Sequence, residues 1–323
     1  MIFMYVASFE SPYCSYGTNK SHMVVFSVVI PTYNRAELLP RSIESVLGQT
    51  FNDFELIVVD DGSTDSTKEV VKSYEDNRIV YIKHSENWNG SAARNTGIKN
   101  SQGKYIAFLD SDDEWHPEKL ELQFSQLQDR PDNWVANYCG TETRRNSKVV
   151  KVVSNWLSHD AKYEGQEDII KGLLTLSGFV HGGSTLAARR SVVESIGGFD
   201  ESFDRHQDIE FTIRLAKEGK IGYINQDLVT LYESSRPSAE TSTKARKRLF
   251  ETFEQEIKCL EAQGHEIRKY HHFVLARYFL AEGKIRPGWD HLQKSKPANL
   301  RQIMGFGLDL FRCVKNIAHR DNR

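Results

Sequence analysis

The chain has 323 residues, a formal net charge of −2 and 39% hydrophobic residues. This length allows one large domain with an appendage, or two domains. The net charge near zero argues against sequence-independent binding to the phosphates of a nucleic acid. The four cysteines are far apart and form no Cys-x-x-Cys pair, so neither a disulfide framework nor a zinc site is indicated. We therefore expect a reducing, cytoplasmic compartment.

Residues 1–22 show neither helical nor strand periodicity, and we predict that they form a disordered extension. Their apolar start has no preceding Lys or Arg, which is unlike a signal peptide. Translation from Met23 would remove this extension altogether. No stretch reaches the ~20 apolar residues that a membrane-spanning helix needs.

From Val24 onward, β-branched runs alternate with amphipathic stretches of helical period. The runs predict buried strands at 26–30, 54–60, 78–82 and 104–110, and the stretches between them predict helices at 36–49, 66–75 and 90–100. This alternation predicts β-α-β crossovers and a mostly parallel sheet covered on both faces. Ligands of such a sheet bind at the carboxyl ends of its strands.

After residue 130 the alternation loosens. The pattern predicts strands at 133–140 and 147–154, a strand passing into a helix over 184–198, a helix at 207–219 and a strand at 221–232. A polar linker at 234–242 then leads into a wholly helical pattern. We predict a main domain at 23–235 and a separate C-terminal helical module at 243–323.

Three of the predicted strands end in polar residues. The first runs into PTYNR, where Pro31 cannot extend the ladder and Thr32 and Tyr33 offer a hydroxyl and a ring. The second runs into DDGSTD and the fourth into DSDDEW. Since the carboxyl ends of parallel strands meet at one edge, these three segments predict one cleft.

The segment DDGSTD has two interpretations. It could be a strand-to-helix turn, with an Asp-Gly bend and a capping box formed by Ser66 and Glu69. A turn does not explain why Asp60 and Asp61 follow three buried aliphatic residues. An aspartate in that place could accept a hydrogen bond from a nucleobase imide N–H.

In DSDDEW, four carboxylates fall within five positions. Asp113 and Glu114 suit the start of a helix near Pro117, since acids favour the N-terminal end of the helix dipole. Asp110 and Asp112 lie two positions apart and project to the same side of an extended chain. They could share a divalent cation whose open positions are filled by substrate phosphates.

The segments PTYN, VVDDGSTD, GSAARNTG, YIAFLDSDD, IGGFDE and QDIEFTIRL, in this order, resemble the family 2 glycosyltransferases, inverting enzymes with the GT-A fold. The likeness spans about 26–232. It implies an α/β fold, a Rossmann-like mixed, mostly parallel sheet flanked by helices, followed here by the helical module. It also implies a divalent cofactor, Mn²⁺ or Mg²⁺.

The resemblance implies a role for each matching position. The base pocket would be Pro31, Thr32, Tyr33 and Asp60, with Arg94 against the nucleotide, Asp110 on the ribose side, Asp112 as metal ligand and Asp208 as catalytic base. Many relatives have Glu-Asp where this chain has Gln207 and Asp208. Some also have a late histidine at the metal or diphosphate, where this chain has none. Arg236 in the same neighbourhood could contact the diphosphate instead, but a solvated linker arginine is the favoured interpretation.

Together these features predict transfer of a single sugar from a nucleotide-diphosphate sugar, with UDP expected, to a hydroxyl of a glycan or lipid-linked acceptor in surface polysaccharide assembly. A metal ion would stabilise the leaving diphosphate, a carboxylate would activate the acceptor hydroxyl, and in-line attack would invert the anomeric carbon.

Other classes fit less well. A processive synthase would carry membrane spans and a Gln-x-x-Arg-Trp motif, and a nucleotidyltransferase would have a glycine-rich loop after its first strand. A non-catalytic nucleotide-sugar-binding or scaffolding protein remains the alternative, against which the joint presence of Asp60, Asp110, Asp112 and Asp208 speaks.

Three further features have open interpretations. His181, Gly182 and Gly183 could admit a sugar close to the backbone or form a structural turn, and Trp115 could stack on a sugar or lie in the core. The amphipathic segment 300–320 could lie on an anionic membrane surface or pack within the helical module.

Overall fold

The computed structural model describes residues 24–144, 163–178, 180–232 and 237–298, together with 302, 303, 306 and 307. The predictions for residues 1–22, Met23, Arg236, the strand at 147–154 and most of segment 300–320 lie outside the described residues. No helix in the described part of the chain is long and apolar enough to cross a membrane.

The strands of the described residues form one sheet. They are β1 (Phe26–Thr32), β2 (Phe54–Asp60), β3 (Ile79–Lys83), β4 (Tyr105–Phe108), β5 (Glu114–Trp115), β6 (Trp134–Arg144), β7 (Ala187–Arg189) and β8 (Lys220–Tyr232). Their order is β3-β2-β1-β4-β7-β6-β8-β5. The pairs β1–β2, β2–β3, β1–β4 and β6–β8 are parallel, and β7 and β5 pair antiparallel with their neighbours. The predicted mostly parallel sheet is confirmed.

The helices of the main domain follow the predicted alternation. They are α1 (Leu39–Leu47), α2 (Thr67–Lys72), α3 (Gly90–Lys99), α4 (Lys119–Asp129), α5 (Glu167–Thr175), α6 (Arg190–Ser195) and α7 (Gln207–Glu218). The helix α5 was not predicted. The capping box proposed for α2 is wrong: Ser66 makes no side-chain cap, and Asp65 Oδ1 instead accepts from Thr67 N at 3.1 Å.

The sheet is buried on both faces because successive side chains of a strand point to opposite sides. In β1, Val28 packs with Leu39 and Ile43 of α1 on one face, while Val29 packs with Ile98 of α3 on the other. All seven side chains of β2 are buried. A strand that is buried on both faces appears in the sequence as an uninterrupted run of apolar residues. The bounds of such strands could therefore be predicted closely.

The C-terminal helices are α8 (Ala239–Thr252), α9 (Glu254–Ala262), α10 (Ile267–Ala281) and α11 (Ile285–Gln293). The first begins within the segment predicted as a linker, with Ser238 accepting from Thr241 N as its cap. Leu249, Phe253 and Ile257 belong to the same buried cluster as Val29 of the sheet. The division into a main domain and a separate helical module stays a prediction.

Candidate active site

The ends of β1 and β2 lie side by side, with Thr32 paired to Asp60 in the parallel register. Strand β4 is the other neighbour of β1, and the chain continues from it into Asp110. The three polar segments therefore lie at one edge of the sheet, as their positions after parallel strands require.

The four residues predicted for the base pocket have different environments. Tyr33 is 44% exposed and Pro31 is half-buried. Thr32 is buried, and its Oγ1 has no hydrogen-bond partner among the described residues. Asp60 has no exposed surface. Its carboxylate already accepts from Ser63 N at 2.7 Å and from the Tyr81 hydroxyl at 2.5 Å. An incoming N–H would have to share that carboxylate, while the Thr32 hydroxyl is uncommitted.

Asp61 organises the loop that leads into α3, a role that the sequence analysis missed. Its carboxylate accepts from Trp88 N and Asn89 N, each at 2.9 Å, and contacts His84 Nδ1 at 2.8 Å. Asn89, at φ 102°, then caps α3 by accepting from Ser91 N and Ala92 N. These contacts fix the first turn of the helix that carries Arg94.

Arg94 joins α3 to the acidic segment after β4. Its side chain is buried, and Nη2 donates to Asp110 Oδ1 at 2.5 Å while Nη1 donates to the Gly90 carbonyl at 3.1 Å. The Asp110 side chain remains 40% exposed. Arg94 therefore stabilises the charge of Asp110 without closing off its carboxylate.

The segment from Asp110 to Asp113 is a turn, closed by Asp113 N donating to the Asp110 carbonyl at 3.0 Å. The assumption of an extended chain with both acids on one side is therefore wrong. Asp112 lies 3.9 Å from Arg35 Nη2, and Arg41 donates to the Asp112 carbonyl. Burial, and secondly the charge of Asp110, raise the pKa of Asp112. The two carboxylates are thus near enough to repel each other.

Asp113 is not the solvated helix-start acid that was predicted. It is buried, and the Ser184 hydroxyl donates to its Oδ2 at 2.5 Å. Burial, followed by the charge of Asp110, raises the pKa of Asp113 to about 8, so the carboxyl holds its proton at neutral pH. Glu114 lies in β5 rather than at a helix start, and it accepts from the Tyr232 hydroxyl at 2.5 Å.

Trp115 is a core residue. It is 3% exposed, and its Nε1 donates to the Ser184 carbonyl at 2.8 Å. Stacking on a sugar is therefore excluded in this conformation. The Ser184 hydroxyl also accepts from Asp110 N at 3.2 Å. Ser184 therefore contacts Asp110, Asp113 and Trp115 of the same segment.

The turn with Gly182 and Gly183 lies between the acidic segment and α7. A Cβ on Gly183 would lie 2.6 Å from Asp110 Oδ2, and one on Gly182 would lie 3.2 Å from Asp208 Cβ. The distance at Gly183 is shorter than real Cβ atoms show, and the distance at Gly182 would require a small shift of the neighbouring atoms. The glycines therefore allow the backbone to approach both carboxylates closely.

Asp208 lies in the first turn of α7, after His206 in a left-handed conformation at φ 63°. It is half-buried. Burial, followed by the charge of Asp110, raises the pKa of Asp208, and Arg94 opposes that shift. A cavity of about 200 Å³ is lined by Arg94, Asp110, Gly183, Asp204, Arg205, His206, Gln207 and Asp208.

The residues present fit a divalent cation that is held partly by its substrate. No group of three or more metal-ligating side chains gathers anywhere in the described residues. Asp110 and Asp112 nevertheless offer two carboxylates whose mutual repulsion a hard cation would relieve. A site with two protein carboxylates leaves coordination positions open for phosphate oxygens.

The structure thus brings Arg94, Asp110 and Asp208 to one cavity, with Asp112 in the turn beside it. It leaves Asp60 enclosed and Tyr33 on the surface. Arg35, Arg41 and Ser184 also contact the acidic segment and were missed. Their distance in sequence from that segment left no local signal. Chemically, the site combines ligands for a cation, arginines for an anion and a carboxylate suited to accept a proton.

The profile described as "Glycosyl transferase family 2" matches residues 27–197. The amylovoran biosynthesis glycosyltransferase AmsB of Erwinia amylovora is 34% identical over 222 residues, which are 66% of this chain and 71% of AmsB.

Two solved structures share the fold at low sequence identity. S. aureus TarS in complex with UDP-GlcNAc gives a TM-score of 0.57 at 17% identity, over 93% of this chain and 92% of that one. A mannosyltransferase from Pyrobaculum calidifontis, in complex with GDP-Man and Mn²⁺, gives 0.59 at 18% identity, over 90% and 86%. The fold is thus the GT-A type, and the profile match together with AmsB shows that this chain belongs to glycosyltransferase family 2.

Proposed function

We propose that this glycosyltransferase moves a single sugar from a nucleotide-diphosphate sugar, a UDP-sugar, to a hydroxyl of a glycan or lipid-linked acceptor in surface polysaccharide assembly. The observation that carries the proposal is the cavity shared by Arg94, Asp110 and Asp208, which come from three separate elements. The names of AmsB and of the UDP-GlcNAc complex of TarS support the process and the donor class.

In this proposal Asp208 is the general base. Its raised pKa makes its carboxylate a stronger proton acceptor than an ordinary surface carboxylate. It takes the proton of the acceptor hydroxyl as the oxygen attacks the anomeric carbon. Attack opposite to the leaving diphosphate forms the new bond as the old one breaks, so that the configuration inverts.

The donor end of the cavity provides positive charge for the diphosphate. Arg94 lies against Asp110, and Arg35 lies near Asp112, so neither guanidinium is far from the acidic turn. We infer that Asp112, with Asp110 beside it, binds Mn²⁺ or Mg²⁺ together with the donor phosphates. When bound, such an ion supplies Lewis-acid stabilisation of the leaving group. Pro31, Thr32, Tyr33 and Asp60 would surround the base, with the free Thr32 hydroxyl as its first polar contact.

A thermal-shift panel tests the donor and the metal together. UDP, GDP, dTDP and their sugars are added with Mn²⁺ or with EDTA, because a ligand that binds the folded state raises its stability, by about 2.7 kcal/mol at a hundredfold excess over Kd. We expect a UDP-sugar with Mn²⁺ to give the largest shift. The variant Asp112→Ala should lose the part of the thermal shift that EDTA abolishes. The exposed Asp129→Ala should keep that part of the shift.

Two outcomes would contradict parts of the proposal. Equal nucleotide-sugar affinity with and without EDTA would remove the metal. Donor binding without turnover on any acceptor, including water, would favour the alternative of a non-catalytic nucleotide-sugar-binding or scaffolding protein.

We further propose a cytoplasmic enzyme that touches the inner face of the membrane through its C-terminal helices. Ile285 and Trp289, one turn apart on α11, are each 56% exposed, and such side chains favour a membrane interface. Liposome flotation on anionic vesicles should therefore weaken in the double variant Ile285→Glu, Trp289→Glu. Flotation unaffected both by that change and by deletion of residues 300–323 would rule out this contact.

A further inference from the structure

A second cavity, of about 430 Å³, lies among the C-terminal helices α8, α9, α10 and α11, and we call it the tail cavity. Phe250 and Leu275 supply apolar surface to its wall, and Arg246, Lys247 and Arg268 supply cationic groups. Apolar walls with a few convergent polar groups are typical of ligand sites. The features described above assign no role to this cavity.

The charged side chains that line the tail cavity differ in whether they have an ion-pair partner. Glu251 and Glu254, which also line it, have lysine partners, Lys247 at 3.9 Å and Lys258 at 2.8 Å. Arg268 is paired with Glu261. Among the described residues, Arg246 forms no ion pair with any carboxylate.

Arg246 is nevertheless buried, with 6% of its surface exposed. In the described part of the chain, its Nε has no hydrogen-bond partner. Its Nη1 lies 3.4 Å from His206 Nε2, and its Cζ lies 5.9 Å from the centre of the Tyr278 ring. Burial lowers the pKa of Arg246 to about 10, so the side chain stays charged at neutral pH. An unpaired buried charge is strongly unfavourable. This guanidinium therefore provides a prepared site for an anion that enters the tail cavity.

The position of Arg246 connects the tail cavity with the active-site cavity. His206, which it contacts, lines the active-site cavity beside Asp208. Arg205 lines that cavity as well. An anion bound at Arg246 would thus lie next to His206, two residues before Asp208. This is where one end of an acceptor could be held while its hydroxyl reaches Asp208.

We propose that the tail cavity binds the phosphate and the adjoining apolar chain of a lipid-linked acceptor, with Arg246 as the phosphate ligand. Phe250 and Leu275 contact the apolar chain, and the guanidinium of Arg246 donates to the phosphate oxygens. The inference rests on the proposed function, because it identifies the acceptor class of the same site. A phosphate group alone would use only Arg246, whereas a lipid phosphate uses the whole cavity.

Calorimetric titration with farnesyl diphosphate, pyrophosphate and farnesol tests this inference, with EDTA present to suppress metal-dependent binding at the acidic turn. We expect farnesyl diphosphate to bind wild-type protein more tightly than either fragment. Arg246→Met should weaken farnesyl diphosphate binding about tenfold or more, as loss of a hydrogen bond to a charged group does. Arg246→Lys, which keeps the charge, should recover part of the affinity.

The matched control is Arg248→Met on the same helix, since Arg248 is exposed and donates only to the Ser202 hydroxyl at 2.9 Å. It should bind farnesyl diphosphate as wild type does. The melting temperature without ligand is a second measurement: removal of an unpaired buried charge should leave Arg246→Met as stable as wild type or more so. A melting temperature lowered by several degrees would show that Arg246 stabilises the fold and would overturn the inference.

Equal affinity of wild type and Arg246→Met for farnesyl diphosphate would also overturn the inference. Pyrophosphate binding as tight as farnesyl diphosphate binding would exclude a lipid ligand. The UDP-sugar shift with Mn²⁺, measured on the same proteins, separates the two proposals. If that shift persists while farnesyl diphosphate fails to bind, only the acceptor inference fails. If the UDP-sugar shift is missing from wild type, the proposed donor is wrong whatever the tail cavity binds.

Discussion

At the scale of single residues, the acidic segment after β4 shows how four neighbouring carboxylates can coexist. Each has its own partner, and the pairs are Asp110 with Arg94, Asp112 with Arg35, Asp113 with Ser184 and Glu114 with Tyr232. Within the described residues, the first two acids are the ones that form ion pairs. A divalent cation, if bound, would therefore share its carboxylates with arginines that are already present.

Asp208→Asn tests the general base. The change removes the charge at nearly constant shape, so the variant should fold, bind donor with little change and transfer sugar ~10²–10⁴-fold more slowly. In wild type, kcat/KM should rise with pH through a pKa above the usual carboxyl range, because burial and Asp110 raise the pKa of Asp208. Near-normal turnover in the variant would disprove this role, and Asp204 or Glu201 would be tested next.

Lys119 gives a prediction about pH and stability. It is fully buried, its Nζ donates to Gln123 Oε1 at 2.6 Å, and burial lowers its pKa from 10.5 to about 8. Between those values the unfolded chain binds more protons than the folded one, so this residue makes stability rise with pH. The free energy of unfolding in urea should therefore increase from pH 8 to pH 10.5 in wild type relative to Lys119→Met.

The exposed Lys68→Met serves as the control for the loss of a lysine at the surface. A constant difference between wild type and Lys119→Met across the same range would show that the lysine titrates normally.

At the scale of elements, the glycine turn before β7 fixes the distance between the acidic segment and α7. In Gly183→Ala, the new Cβ would lie 2.6 and 2.8 Å from the two carboxylate oxygens of Asp110, so Asp110 must move away from Arg94. Since small displacements in a site can lower the rate ~10²-fold, turnover should fall by that order while the fold persists.

Gly307→Ala is the matched change, because a Cβ there would lie within 4 Å of none of the residues that the structure describes. It should have normal turnover. Unaltered kinetics in Gly183→Ala would mean that the turn can move enough to accommodate the added Cβ without displacing Asp110.

At the scale of the whole molecule, the C-terminal helices share their core with the sheet. Phe253 is buried in the cluster that contains Val29 and Phe108. Phe253→Ala should lower the free energy of unfolding by ~3–5 kcal/mol, and the protein should still unfold in a single transition. The exposed Lys258→Ala should change stability by less than ~0.5 kcal/mol.

Two separate transitions, with only one of them shifted by Phe253→Ala, would instead support the predicted independent helical module. Calorimetry of wild type and both variants distinguishes these cases.

The sequence by itself determined the sheet and the approximate site. Strand β2 has the bounds predicted from its run of buried aliphatic residues, and α3 ends within one residue of its predicted end. Asp60, Asp110 and Asp112 could be placed at one edge because parallel strands bring their carboxyl ends together. Periodicity and strand order are local properties, and a single chain displays them directly.

Only the tertiary structure decided which polar groups are buried, paired or free. Asp113 looks like its neighbours in sequence, yet it is buried beside Ser184, 71 positions away, and burial together with the charge of Asp110 raises its pKa. Arg246 looks like a surface residue of α8, yet packing against the loop of His206 buries its charge. The free energy of a charge depends on the atoms that surround it, and those atoms come from distant parts of the chain.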